Sequence, residues 1–180
     1  MADRAALVSG DDLGLMTAVR DRLAADGFTA VPGLEGTLDA LVHVVGAPPA
    51  GPFVGGDVAR WYADVSAGLR PAFQAVRAAV PALRRSEAGR VVLVGAGWFP
   101  ADRPGSSAAA ALSGALVALT KTLARDLGPD GITVNQVVVD PADPADAATV
   151  ASAVAYLCSP AAGAVVGQLL TVGRGGPLRP

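Results

Sequence analysis

Short, unbroken apolar runs recur along this chain, and they constrain its fold more than any other feature. They are AALVS at Ala5–Ser9, FTAV at Phe28–Val31, LVHVV at Leu41–Val45, RVVLV at Arg90–Val94, ITVNQVVV at Ile132–Val139 and QLLTV at Gln168–Val172. None alternates apolar with polar. A strand of that kind is covered on both faces, which requires helices above and below a parallel sheet. The stretches between the runs supply those helices. Leu15, Val19 and Leu23 follow helical spacing after Asp11 and Asp12, and Gly27 stands where a helix C-cap belongs. Asp57 starts a long helix to about Leu83, with Pro71 as an expected kink. Helices over Ser107–Leu127, stopped by Gly128, and Ala147–Cys158, stopped by Pro160, complete the alternation. The expected fold is α/β: a Rossmann-like, doubly wound, mostly parallel sheet of about six strands.

The 180 residues make one domain, 1–180. Hydrophobic residues make up 52% of it, much of that alanine and valine, and mean hydropathy is +0.45. The longest apolar stretches are broken by Gly, Pro or Ser before membrane-spanning length, so no membrane span is expected. That composition fits either extra surface buried between subunits or plain alanine richness. The net charge of −2 and the absence of a basic stripe argue against nucleic acid as a partner. The single cysteine, Cys158, allows neither an internal disulfide nor a cysteine metal cluster. The N-terminus runs straight into a strand, and a cytoplasmic protein is expected.

Five blocks now occur in a telling order: ALVSGDDLG, LVHVVGA, RVVLVGAG, LTKTLARDLGPDGITVNQV and VAYLCSPAAGAVVGQLLTVGRGG. In that order the chain resembles the short-chain dehydrogenase/reductases, nearest to their 3-oxoacyl-ACP-reductase-like branch. Two regions are short beside the family. Between Val31 and Leu41 one edge strand–helix unit is missing, and Asp140–Ala147 replaces the substrate loop and its helices. The resemblance implies NAD(P) binding and hydride transfer at a carbonyl or alcohol.

The residues that would carry that chemistry differ. The family's T-G-x-x-x-G-x-G turn reads Ser9-Gly10-Asp11-Asp12-Leu13-Gly14-Leu15-Met16, so Ser9, Gly10 and Gly14 form a vestigial cofactor loop. Met16 replaces the third glycine and is expected in space the cofactor needs. Asp11 and Asp12 place negative charge where a pyrophosphate is expected, at about 1 kcal/mol per contact in water and about 4 near a protein surface. Alternatively, one of them caps the helix and the glycines serve only the turn. After the second strand Glu35 is the nearest acidic residue. The N-N-A-G motif appears as His43-Val44-Val45-Gly46. The family's catalytic Asn, Ser, Tyr and Lys align with Gly68, Ala96, Ala109 and Ser113. The only lysine is Lys121, with Val117 four residues before it, so the chain contains no Tyr-x-x-x-Lys. Neither Tyr62 nor Tyr156 has a lysine near it in sequence.

His43, the single histidine, is a weak catalytic candidate, with Ser9 and Asp140 as conceivable neighbours. The alternative is a hydrogen-bonded core residue. Trp98, Phe99 and Arg103 either line a small-molecule pocket or cover an empty cleft. Asp140, Asp143 and Asp146 read as a solvated turn, with no metal expected, and Cys158 as structural. The small-residue helices at 57–83 and 107–127 and the strand and tail at 167–180 match surfaces through which the family assembles. The expectation is a non-catalytic subunit that needs no cofactor and pairs with itself or with an active relative. The alternatives are an NAD(P)-dependent reductase completed by a partner and a cofactor-free enzyme in the remodelled cleft.

Overall fold

The structure is a computed structural model, and it describes residues 4–96, 104–139 and 146–173. Six strands form one parallel sheet: β1 (Arg4–Gly10), β2 (Phe28–Ala30), β3 (Ala40–Val44), β4 (Arg90–Ala96), β5 (Thr133–Val139) and β6 (Leu169–Val172). Their spatial order is β2-β1-β3-β4-β5-β6. The helices are α1 (Leu13–Ala25), α2 (Val58–Leu83), α3 (Ser107–Leu127) and α4 (Ala147–Cys158). Every residue of β3 is buried, as an unbroken apolar run demands. Two core clusters result. One joins the sheet to α1 and α4 through Val42, Val92 and Val137. The other joins the opposite face to α2 and α3 through Leu41, Leu93 and Val134.

Local chemistry sets the helix ends. Asp12 caps α1 by accepting the Leu15 N–H at 2.9 Å, and Asp57 caps α2 by accepting those of Ala59 and Arg60. Asp146 caps α4 through the Thr149 N–H at 2.7 Å. Gly27, at φ 84°, follows α1 in the left-handed region.

Helix α2 runs to Leu83 as expected, through both Pro71 and Pro81. Two sequence readings need correction. The buried stripe of α1 is Met16, Val19 and Leu23, with Leu15 only half-buried. Second, Ser107–Asp130 is long and apolar enough to cross a membrane, at mean hydropathy 1.4. Here one stripe of that helix (Leu112, Leu116, Ala124 and Leu127) packs into the core of the sheet.

The shortened stretch after β2 is held from α2. The Arg85 guanidinium donates to the carbonyls of Leu34, Glu35 and Gly36. Asp39 then ties three elements together. Its carboxylate accepts the Ala5 N–H at 2.8 Å and the Ser86 hydroxyl at 2.5 Å, and its carbonyl accepts the Arg90 N–H at 2.9 Å. Losing the carboxylate leaves a half-buried amide and a hydroxyl without acceptors. Asp39→Ala is expected to cost about 2 kcal/mol in urea unfolding, in the range for hydrogen bonds to charged groups. Asp39→Asn, which keeps one acceptor, is expected to cost less.

Candidate functional site

In a parallel sheet of this kind, sites lie beyond the carboxyl ends of the strands. There β1 turns into α1 at Gly10, at φ 133°. A Cβ at Gly10 would strike the Val44 carbonyl, so only glycine lets β1 and β3 end so close together. The Asp11 N–H donates to that same carbonyl at 3.1 Å. A Cβ at Gly46 would stand 3.3 Å from that of Asp11. The glycine turn thus serves backbone packing, and Asp12 supplies the cap. Gly14 lies in the first turn of α1. Met16 faces away from the strand ends, into the core shared by α1, α4 and the sheet.

Of the partners conceivable for His43, Ser9 is confirmed. Ser9 Oγ and His43 Nδ1 share a 2.9 Å hydrogen bond, because the two residues face each other in the β1–β3 register. His43 is 5% exposed, and its Nε2 is buried with no hydrogen-bond partner. Burial pushes its pKa below the usual histidine range, and the nearby Asp11 carboxylate partly counters this. Asp140, Asp143, Trp98, Phe99 and Arg103 lie outside the described residues.

The positions matched to catalytic residues converge in space. Gly68 of α2 is buried, and a Cβ there would strike a Leu112 methyl and come within 3.2 Å of Val45. Ala109 and Ser113 of α3 face Val45, Gly46, Leu112 and Leu116 across a void of about 10 Å³. That is room for at most one water. Ser113 is 4% exposed. Ala96 ends β4, whose neighbours are β3 and β5. Lys121 points elsewhere: its Nζ donates to the Gly167 carbonyl at 3.1 Å, joining α3 to the approach to β6.

The remaining candidates are structural. Asp146 is a helix cap, and Cys158 is buried, with burial pushing its thiol up to about 12. No group of three or more metal-binding side chains occurs among the described residues. Glu35 folds back over Gly33, so a Cβ at Gly33 would collide with its carboxylate.

The sequence reading missed Trp61, whose indole Nε1 donates to Ser107 Oγ at 2.9 Å. It also missed the apolar groove of about 560 Å³ between α2 and α3, walled by Leu69, Phe73, Ala115 and Leu119. Helical phase on two separate helices gives the signal for the groove; nothing local signals the indole bond.

Comparison with known proteins follows the geometry. A family model described as enoyl-(acyl carrier protein) reductase matches residues 19–149. The chain is 38% identical over 120 residues to (2S)-((R)-hydroxy(phenyl)methyl)succinyl-CoA dehydrogenase subunit BbsC of Thauera aromatica, covering 66% of this chain and 47% of that protein. It is 24% identical over 163 residues to the 3-oxoacyl-(acyl-carrier-protein) reductase FabG of Vibrio harveyi, covering 78% and 67%. It spans about half the length of several of the curated relatives it matches. Among solved structures, a short-chain dehydrogenase/reductase variant from Serratia marcescens superposes with TM-score 0.81 at 26% identity, over 94% of this chain and 96% of that one.

The buried imidazole makes a prediction. Burial lowers the pKa of His43 in the folded protein below the value of about 6.5 that the unfolded chain has. The unfolded state therefore binds the proton more readily, and stability falls as pH drops below about 6.5. Melting temperature is expected to decline between pH 7.5 and 5.5. His43→Asn should flatten that slope, measured against wild type in the same buffers.

Proposed function

The chain belongs to the short-chain dehydrogenase/reductase family, and on that premise we propose that it is a non-catalytic subunit, working by assembly without a bound dinucleotide. The observation that carries this reading is the small void of about 10 Å³ where Ala109 and Ser113 meet Val45 and Gly46. Hydride transfer needs a proton donor and room for a nicotinamide ring beside it. An alanine methyl donates nothing, and a void of one-water size admits no ring.

Two features weigh against the adenosine half of the cofactor. Strand β2 is outermost, and only the short stretch from Val31 to Asp39 separates it from β3. No strand among the described residues flanks it on the side where a dinucleotide-binding sheet continues. The α1 N-terminus, which could receive a phosphate, already holds the Asp12 carboxylate on the Leu15 N–H, with Asp11 beside it. NADPH and NADH titrations are expected to leave the melting temperature and tryptophan fluorescence unchanged. Micromolar binding of either would overturn the cofactor-free reading.

Assembly is supported by the groove between α2 and α3. Its walls are mainly apolar, with Ser66, Arg70 and Thr122 among them, and Phe73 is 44% exposed within it. An exposed apolar surface on two long helices suits a helix pair from a second subunit. The Thauera relative is itself named as a subunit of a dehydrogenase, which supports a hetero-oligomer with an active relative as well as a homo-oligomer. The 167–180 segment is a second proposed contact, of which residues up to 173 are described. A cytoplasmic setting goes with the single, buried thiol.

Sedimentation should distinguish these. The protein is expected to sediment as a dimer or larger, alone or with a co-encoded reductase, at micromolar concentration. Phe73→Glu is expected to dissociate it while the circular dichroism spectrum stays unchanged. A wild-type protein that remains monomeric in every mixture would end the assembly reading.

A further inference from the structure

The chain is poor in aromatic residues, with two Trp, two Tyr and four Phe. Phe53, Trp61 and Tyr62 nonetheless line one recess of about 260 Å³. Phe53 is 80% exposed and Tyr62 63% exposed, so neither is there to fill the core. The recess lies between the β3–α2 loop and the first turns of α2. It is separate from the void at Ala109 and Ser113, and nothing argued below depends on whether the protein is catalytic.

The walls of this recess are held in place. The Trp61 indole is tethered by its bond to Ser107. The Trp61 and Tyr62 rings stand at 90° with centroids 5.1 Å apart, forming a corner. The opposite wall, Pro52 and Phe53, sits on a tight loop. Gly55 takes φ 75°, and a Cβ at Gly56 would strike the Pro52 carbonyl. The same loop is tied to the chain ahead of α3 by the Gly51 N–H donating to the Gly105 carbonyl at 2.9 Å. The rings line the recess together with Val58, and an aromatic face turned toward a bound cation attracts it through the ring quadrupole.

The charge of the recess has the same sign. Asp57 lines it, and both of its cap bonds, from the Ala59 and Arg60 N–H groups, fall on Oδ1. Its other oxygen, Oδ2, makes no hydrogen bond among the described residues. No lysine or arginine lines the recess; the neighbouring Arg60 guanidinium pairs with Asp64 at 2.8 Å and lies within electrostatic range of Asp57 as well. The N-terminus of α2 contributes about half a positive charge, which the full carboxylate charge of Asp57 outweighs.

We propose that this recess binds a small organic cation, a tertiary or quaternary ammonium group, with the aromatic rings around its methyl groups and Asp57 as counter-charge. An ammonium of that kind is poorly hydrated and bulky enough to touch two or three rings at once. A phosphate or carboxylate would meet Asp57, and a metal ion would find one carboxylate and no other ligand among the lining side chains.

The experiment uses the full chain with choline and its uncharged isostere, 3,3-dimethylbutan-1-ol, followed by ligand-observed NMR and by tryptophan fluorescence. Choline is expected to bind with a dissociation constant of about 1–10 mM, the range open to a few weak contacts with a small ligand. The isostere is expected to bind about tenfold more weakly or not at all, since only the charge differs. Asp57→Asn keeps a side-chain cap on α2, so the fold should persist while choline binding weakens about fivefold. Tyr62→Ala should weaken it similarly without lowering the melting temperature. Equal binding of the two probes would show a plain apolar recess and overturn the proposal. So would unchanged choline affinity in Asp57→Asn, or no choline binding at about 50 mM.

Discussion

Burial of the central strands on both faces is the constraint on which everything else here depends. Strand β3 is buried along its whole length, and Val91, Val92 and Leu93 of β4 are fully enclosed. Such strands cannot exist without a helical layer above and another below. Hence α1 and α4 lie on one face and α2 and α3 on the other, and each face of the sheet carries its own core cluster. The loops at the carboxyl ends of the strands are the only part of this architecture free to vary without cost to the core. Differences between this chain and other members of its family are therefore expected there, and at the edge of the sheet.

The edge shows how a missing unit is tolerated. Three-residue β2 leaves little unpaired backbone exposed, which limits edge-to-edge association. The connection that replaces the missing unit is held by side chains from distant parts of the chain. Arg85 gathers three successive carbonyls from it, and Asp39 bridges β1 to Ser86. These bonds replace what a strand and helix would have supplied by packing.

Most of the fold was legible in the sequence because its signals are local. Unbroken apolar runs marked the strands, and Asp12 and Asp57 marked two helix starts by cap chemistry that acts within three residues, whereas Asp146, read only as part of a solvated turn, proves to cap α4. Where the reading failed, the deciding contact was not local. Leu15 and Met16 are adjacent apolar residues on α1, and only the angle at which the helix meets the sheet selects Met16 for the core. The Ser9–His43 bond was within reach, since strand register sets residues at matching positions side by side. The aromatic recess was not, because a glycine loop and a tethered indole brought its walls together.

The same geometry bears on why the helix carrying Ala109 and Ser113 should persist if its chemistry is gone. A catalytic tyrosine and lysine must be held in a polar pocket, partly desolvated, and such sites usually cost stability. Here Leu112 and Leu116 pack one turn apart over Val45, and Gly68 permits the approach of Leu112 to α2. Small residues at Gly68 and Ala109 let α2, α3 and the strand ends close up to a void of one-water size, so van der Waals contact replaces the pocket. Closing that space draws α2 and α3 together, and the groove on their outer side lies between the same two helices. On the proposed reading, the changes that fill the site would also stiffen the surface through which the protein assembles.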